Sequence, residues 1–263
     1  MKNIRRIFTV FLVTALFAAG AFYFLYMRPR HVVPVLMYHA IGSDGEGSLY
    51  VAPENFCRQM RFLSDNGYSV ISLDELVSGI EQEKRFPPKT VVITFDDGYE
   101  DNYIYAFPVL AKYEIPATIF LITRYVDARD EYLTWNQVRI MMRDGMDFGG
   151  HTRNGTYLPA IKDKSRLWNE INGSREDIKR NTGVEPGYFC YTMGGFNQTI
   201  KDMVKEAGYK GACTTNRGFD KLNKDVYELN RVKVTNSDTT KPLHFRAKLS
   251  GYYNLFRRAR AGE

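Results

Sequence analysis

Residues 90–103 read TVVITFDDGYEDNY. Thr90 through Phe95 are apolar or β-branched on both alternating faces, which marks a strand covered on both sides and therefore interior to a parallel sheet. The run then stops on two consecutive carboxylates, Asp96 and Asp97. On a regular strand these would face opposite ways, but Gly98 lets the chain turn and bring both toward one pocket. Two acids at a strand end are costly to bury without a cation. Taken alone, Asp-Asp-Gly is also a common turn, so its meaning depends on what the rest of the chain brings to it.

Outward from this strand, short apolar runs alternate with segments of helical period. VVPVLMY (32–38) reads as a strand, and PENFCRQMRFLSDNG (53–67) as a helix with Phe56, Met60 and Leu63 on one face. Ser72 and Glu75 have capping-box spacing at the start of a shorter helix, as do Thr134 and Gln137 at the start of TWNQVRIMMRDG (134–145). Helix DNYIYAFPVLAKY (101–113), strand ATIFLI (117–122), strand MDFGG (146–150) and a helix from about residue 165 to 181 continue the pattern. Strand YFCYT (188–192), helix QTIKDMVKEAG (198–208), strand GACTT (211–215) and strand ELNRVKV (228–234) complete it. This alternation predicts an α/β fold of βαβ units with a mostly parallel sheet, open or closed into a barrel. No repeat or interior linker divides it. In such folds functional groups collect at the carboxyl ends of the strands. His39 follows VLMY, Asp96 and Asp97 follow VITF, and His151 follows DFGG, so all four are expected at one end of the sheet.

The chain has 263 residues and a formal charge of +6. Five of those charges lie in the first 31 residues, and Arg257, Arg258 and Arg260 against Glu263 add two, so the residues between sum to −1. The globular part is nearly neutral, which excludes a basic groove for nucleic acid; the basic ends suit anionic lipid or topology selection. Residues 7–27 form an unbroken apolar stretch long enough to span a hydrocarbon core as one helix. Apolar residues continue past a candidate cleavage site at 19–21, so an uncleaved membrane anchor over residues 1–31 is favoured over a signal peptide. Positive charge before the span exceeds that just after it, which directs the 32–263 domain to the exported side.

Asp96 or Asp97 with an imidazole from a neighbouring strand begins a site for Zn²⁺ or a similar divalent ion, and the second carboxylate stays free as a base. Arg231, on a strand expected to be interior, needs an acid partner; Asp96 would serve, making Arg231 a tuner of the base, and any structural carboxylate would serve equally. Cys190 and Cys213 lie in strand-like segments and are read as buried thiols or a pair. His244 is read as a surface residue and Trp135 as a packing residue.

Four separated stretches, VPVLMYHAIG (33–42), VVITFDDGYEDNYIYAFPVLAKYEIPATIFL (91–121), YLTWNQVRIMM with GGHT (132–152) and YKGACTT with ELNRVKV (209–234), resemble the polysaccharide deacetylases of carbohydrate esterase family four. The resemblance covers residues 33 to 255. It implies a distorted (β/α) barrel and metal-dependent removal of N-acetyl groups from amino-sugar polysaccharide. Carried over residue by residue, Asp96 resembles the general base, Asp97 and His151 the metal ligands, and His39 the general acid. Met193 stands where the family places a backbone N–H for the oxyanion.

The family pattern has a second histidine four or five residues after the first, and here those positions are Gly155 and Thr156. Asn154, Asp147 or water are the candidate substitutes. Losing an imidazole that touches the ion should weaken metal binding by at least the roughly 10 to 100-fold that disturbing a ligand's own hydrogen-bond partner costs. The competing expectation is therefore a catalytically degenerate, glycan-binding relative on the same fold.

Overall fold

The computed structural model describes residues 2–42, 47, 49–215 and 218–255; the basic tail with Arg257, Arg258 and Arg260 lies outside them. The chain divides at Val32 into two units. The first is a helix, α1 (Lys2–Phe22), which continues through a π-helical turn at Tyr23–Met27 and a 3₁₀ turn at Arg28–Arg30. Its 26-residue segment Arg5–Arg30 is long and apolar enough to cross a membrane. Ile7, Phe17 and Leu25 are largely exposed on it.

The second unit runs in the order β1 (Val35–Tyr38), α2 (Pro53–Asp65), β2 (Ser69–Val70), α3 (Leu73–Glu81), β3 (Thr90–Phe95), α4 (Phe107–Lys112), β4 (Thr118–Leu121), α5 (Trp135–Arg143) and β5 (Asp147–Gly150). It continues with α6 (Lys164–Thr182), β6 (Tyr188–Cys190), α7 (Gln198–Glu206), β7 (Gly211–Cys213), β8 (Arg231–Lys233), α8 (Ser237–Thr240) and α9 (Pro242–Lys248). The strands pair in parallel in the order β7-β6-β5-β4-β3-β1-β8, with the short β2 also on β3. Just before β8, Leu229 bridges Cys213 of β7, and the Thr214 N–H donates to the Leu229 carbonyl at 2.9 Å. The seven-stranded sheet therefore nearly closes into the expected barrel.

The period of two along β3 separates the layers. Val91, Ile93 and Phe95 pack outward with Phe56, Met60 and Leu110 of the surrounding helices. Val92 packs inside with Val35, Phe120 and Cys190. The helix starts follow local chemistry: the Thr134 side chain accepts the Gln137 N–H while the Gln137 side chain accepts from the Thr134 backbone, and the Ser72 hydroxyl accepts the Glu75 N–H. Trp135 is buried at the start of α5. The segment read as one helix over 101–113 begins instead as a π-helical turn, Asn102–Ala106, before α4. Pro108 at the second position of α4 has no N–H to give to the preceding turn. The ELNRVKV strand is shorter than its sequence suggests. Asn230 is held out of the ladder: its N–H donates to Asn223 Oδ1, and its side chain donates to the Asp220 carbonyl and accepts the Gly218 N–H.

Candidate active site

Asp96 continues the inward phase of Thr94, and its N–H donates to the Tyr38 carbonyl at 3.0 Å. The next residue would point outward, but Asp97 takes φ 72° and Gly98 takes φ 79°. This left-handed pair turns the second carboxylate back toward the barrel mouth. Gly98 is required twice over, since a Cβ there would lie 2.5 Å from Leu121 Cδ2 as well as facing a left-handed backbone.

Arg231 reaches Asp96 across the barrel interior. Its Nη1 and Nη2 donate to Oδ1 and Oδ2 of Asp96, each at 2.6 Å. The remaining N–H groups go to the Thr214 carbonyl (2.9 Å), Thr94 Oγ1 (3.1 Å) and Cys190 Sγ (3.0 Å). All five donors of a guanidinium with 1 % exposure are thus used. Burial by itself would raise the Asp96 pKa, but the charge and bidentate hydrogen bonds of Arg231 outweigh it and hold the carboxyl well below the usual range. Burial pushes the Cys190 thiol well up, so it stands protonated beside this pair, 3.6 Å from Asp96 Oδ1.

His151 follows β5, with its N–H on the Leu121 carbonyl at 2.8 Å. Its Nδ1 lies 2.8 Å from the Cys190 carbonyl. A carbonyl only accepts, so Nδ1 carries the proton and Nε2 is left with its lone pair. That Nε2 stands 3.5 Å from Asp97 Oδ1, too far for a good hydrogen bond. It matches the edge of a coordination tetrahedron: two donors about 2.0–2.2 Å from one ion are roughly 3.3–3.6 Å apart. Asp97 and His151 therefore fit a divalent cation as two of its ligands. Asp96, His151 and Cys190 also place donor atoms within 4.8 Å of one another. In that group, however, Arg231 occupies both Asp96 oxygens and the sulfur is an uncharged thiol. His39, just beyond β1, completes the cluster with its Nε2 3.7 Å from Asp96 Oδ2. Burial holds its pKa below the ordinary value against the pull of Asp96 and Asp97.

The expected substitutes for the missing histidine fare differently. Asp147 stands at the opposite end of β5 from His151, its Oδ1 accepting the Phe148 N–H, which corrects the expectation that it reaches the metal position. The amide of Asn154 faces helix α6, where Nδ2 donates to Glu170 Oε1 at 2.7 Å. Gly155 adopts φ 69°, and a Cβ on it would lie 3.1 Å from Ile122 Cδ1. Gly155→His is consequently expected to lower stability by roughly 1–2 kcal/mol through left-handed strain and to leave zinc affinity unimproved. Thermal melts and zinc titration of parent and variant check this, and tighter zinc binding would contradict it. Met193 sits at φ 54° in the turn after β6 and is 57 % exposed, and its N–H has no acceptor among the described residues. The Thr192 hydroxyl donates to Thr152 Oγ1 at 3.4 Å, which sets this turn beside the His151 loop.

A family model described as polysaccharide deacetylase matches residues 83–212. The protein named "Putative polysaccharide deacetylase YxkH" from Bacillus subtilis is 32 % identical over 203 residues, which cover 77 % of this chain and 71 % of that one. The chain belongs to the polysaccharide deacetylase family. The poly-β-1,6-N-acetyl-D-glucosamine N-deacetylase of Staphylococcus epidermidis is 29 % identical over 210 residues, covering 74 % of this chain and 71 % of that one. Among solved structures, the Streptococcus pyogenes deacetylase PplD in complex with acetate superposes with a TM-score of 0.74 at 29 % identity, covering 81 % of this chain and 96 % of that one.

Several groups in this polysaccharide deacetylase domain carry no clear sequence signal. Asn102 is buried and donates from Nδ2 to the His39 carbonyl at 2.9 Å, steadying the backbone that carries the imidazole. Tyr99 and Tyr132 stack at 5.0 Å, Tyr125 meets Tyr132 edge-on at 4.8 Å, and Arg129 covers Tyr125 at 3.6 Å. Tyr99 lies two residues after Asp97, so this aromatic wall stands at the strand ends. Its only trace in the sequence is the density of tyrosines in the loops after β3 and β4. His244, read as surface, is half tied down by its Nδ1 at 2.8 Å from Asp238 Oδ1.

Proposed function

We propose that the chain is a membrane-anchored, metal-dependent hydrolase that removes N-acetyl groups from amino-sugar polysaccharide. The observation carrying this reading is the convergence of His39, Asp96, Asp97 and His151 from three strand ends, with Asp97 and His151 at the separation two ligands of one ion adopt. Family membership supports the reaction class, and the Staphylococcus epidermidis and Streptococcus pyogenes relatives carry names of deacetylases.

Asp97 and His151 would hold the divalent ion, which a carboxylate and an imidazole suit as zinc; when bound, such an ion polarises a carbonyl and lowers the pKa of water. Asp96, kept ionised and oriented by Arg231, accepts the proton of the water that attacks the acetyl carbon. The Met193 N–H is the donor offered to the oxyanion that develops on the acetyl oxygen. As the C–N bond breaks, His39, whose Nε2 lies 3.7 Å from Asp96 Oδ2, passes to the leaving amine the proton that Asp96 took from the water, and acetate and a free amino sugar result. The tyrosine wall of Tyr99, Tyr125 and Tyr132 supplies a flat apolar face for a sugar ring.

The purified chain is expected to release acetate from N-acetylglucosamine oligomers in the presence of zinc, with His39→Asn lowering kcat by about 10²–10⁴-fold. Gly155 in place of a ligand favours a second reading, a glycan-binding protein without turnover. Oligomer binding with no acetate released, at saturating zinc, would establish that reading instead. The apolar stretch 7–27 within the segment Arg5–Arg30, and the positive charge of Lys2, Arg5 and Arg6 ahead of that stretch, support anchoring with the domain exported. The full chain should stay in the membrane pellet after a carbonate wash, and its release would overturn the anchor.

A further inference from the structure

Helix α6 turns two buried carboxylates toward the loop that follows His151. Glu170 and Asp177 are seven residues apart, two turns, so they share a face, and they are 2 % and 4 % exposed. Glu170 Oε2 accepts the backbone N–H groups of both Arg153 and Asn154 at 3.0 Å, and Oε1 accepts Asn154 Nδ2 at 2.7 Å. Asp177 takes Arg153 Nε at 2.8 Å, Arg153 Nη2 at 3.2 Å and the Thr123 hydroxyl at 2.9 Å, with Arg180 alongside. Every acceptor oxygen of Glu170 is thus spent on two consecutive residues, the second and third after His151.

Those bonds coincide with local strain. Thr152, between His151 and Arg153, is fully buried at φ 62°, a left-handed conformation unfavourable for a β-branched residue. Its hydroxyl accepts the Gly155 N–H at 3.0 Å. Such a conformation persists only where the surroundings over-determine it, and the Glu170 carboxylate supplies three hydrogen bonds to do so, each stronger than a neutral one. A connection between β5 and α6 needs none of this and could remain solvated. The locked residues begin two positions after His151, whose Nε2 lies 3.5 Å from Asp97 Oδ1.

We propose that Glu170 is a positioning residue of the metal site: its carboxylate clamps the strained turn at Thr152–Asn154 and so holds the His151 imidazole in register with Asp97. The inference rests on the reading of His151 as a ligand, and it concerns a residue that touches neither substrate nor reacting atoms.

The test uses the full chain and two readouts, zinc affinity by competition with a chromogenic chelator and the imidazole ¹⁵N signature of His151 in metal-free protein. The parent should show one tautomer with the proton on Nδ1. Glu170→Ala is expected to weaken zinc binding by about 10 to 100-fold, as loss of a group that orients a ligand does, and to mix the tautomers. Glu170→Gln, which keeps an oxygen for the backbone N–H groups, should recover most of both. Parent-like affinity and ring signature in Glu170→Ala would overturn the proposal. Should that variant fail to fold, Glu170→Asp decides, because its shorter arm cannot reach both backbone N–H groups and the Asn154 amide: a measurable loss supports the clamp, and no change in either readout overturns it. If the parent binds no zinc, the metal reading fails by itself, while the tautomer comparison still decides the role of Glu170.

Discussion

Asp96→Ala is expected to lose about 10²–10⁴-fold in kcat/KM, the range for removing a positioned general base, and about 3–5 kcal/mol of stability, because it strands a buried guanidinium. Both effects have one cause. Arg231 is almost fully buried, and Asp96 is the only carboxylate that pairs with it among the described residues. The double variant Asp96→Ala/Arg231→Met separates the two effects. Replacing both members of a buried ion pair by apolar groups is often neutral or stabilising, so urea denaturation should show most of the stability restored. Acetate release should stay at the level of Asp96→Ala. Recovered activity in the double variant would show that Asp96 is structural and that the base lies elsewhere.

Asp97→Ala is the second change with a large expected effect, and it acts with little loss of stability. Asp97 is partly exposed at the barrel mouth, and its partner His151 keeps its bond to the Cys190 carbonyl without it. Removing one of two protein ligands should abolish zinc retention. Acetate release should fall with it, since metal polarisation is worth several kcal/mol of barrier, about 10²–10⁴-fold in rate. Equilibrium dialysis against zinc and an acetate assay on the same preparations check both halves. Zinc binding equal to the parent would remove Asp97 from the ligand set. Unimpaired hydrolysis by a zinc-free variant would remove the metal from the reaction.

Much of this architecture is legible in the amino-acid sequence. The both-face apolar run of β3, the spacing of strands and helices, and the polar residues after VLMY, VITF and DFGG suffice for a mostly parallel α/β sheet with its chemistry at one end, and the family resemblance adds its closure into a barrel. Each of those signals is local: a strand covered on both sides must be apolar on both sides, and a strand end is where side chains can leave the core. Arg231 also announces its need for an acid, because a guanidinium inside a barrel cannot stand alone. The short β2, the π-helical start before α4 and the truncation of β8 are not legible. They depend on pairing with β3, on how the chain packs ahead of Pro108, and on the Asn223–Asn230 hydrogen bonds, all settled by partners distant in sequence or by the conformation of a loop.

The amino-acid sequence by itself determined a mostly parallel α/β sheet, the order of its main elements, the apolar N-terminal helix and the identity of the side chains at the strand ends, since each follows from burial periodicity over a few consecutive residues; its closure into a barrel was implied by the family resemblance. Only the tertiary structure decided how those side chains meet. The left-handed backbone at Asp97 and Gly98 aims the second carboxylate, the Cys190 carbonyl selects the His151 tautomer, and Gly155 lies against Ile122 where the family pattern has a histidine. Glu170 and Asp177, two turns apart on α6, had no signal that distinguished them from a solvated helix face. Their role exists only because the barrel brings that face against the loop after β5, where desolvation turns ordinary acids into fixed hydrogen-bond acceptors.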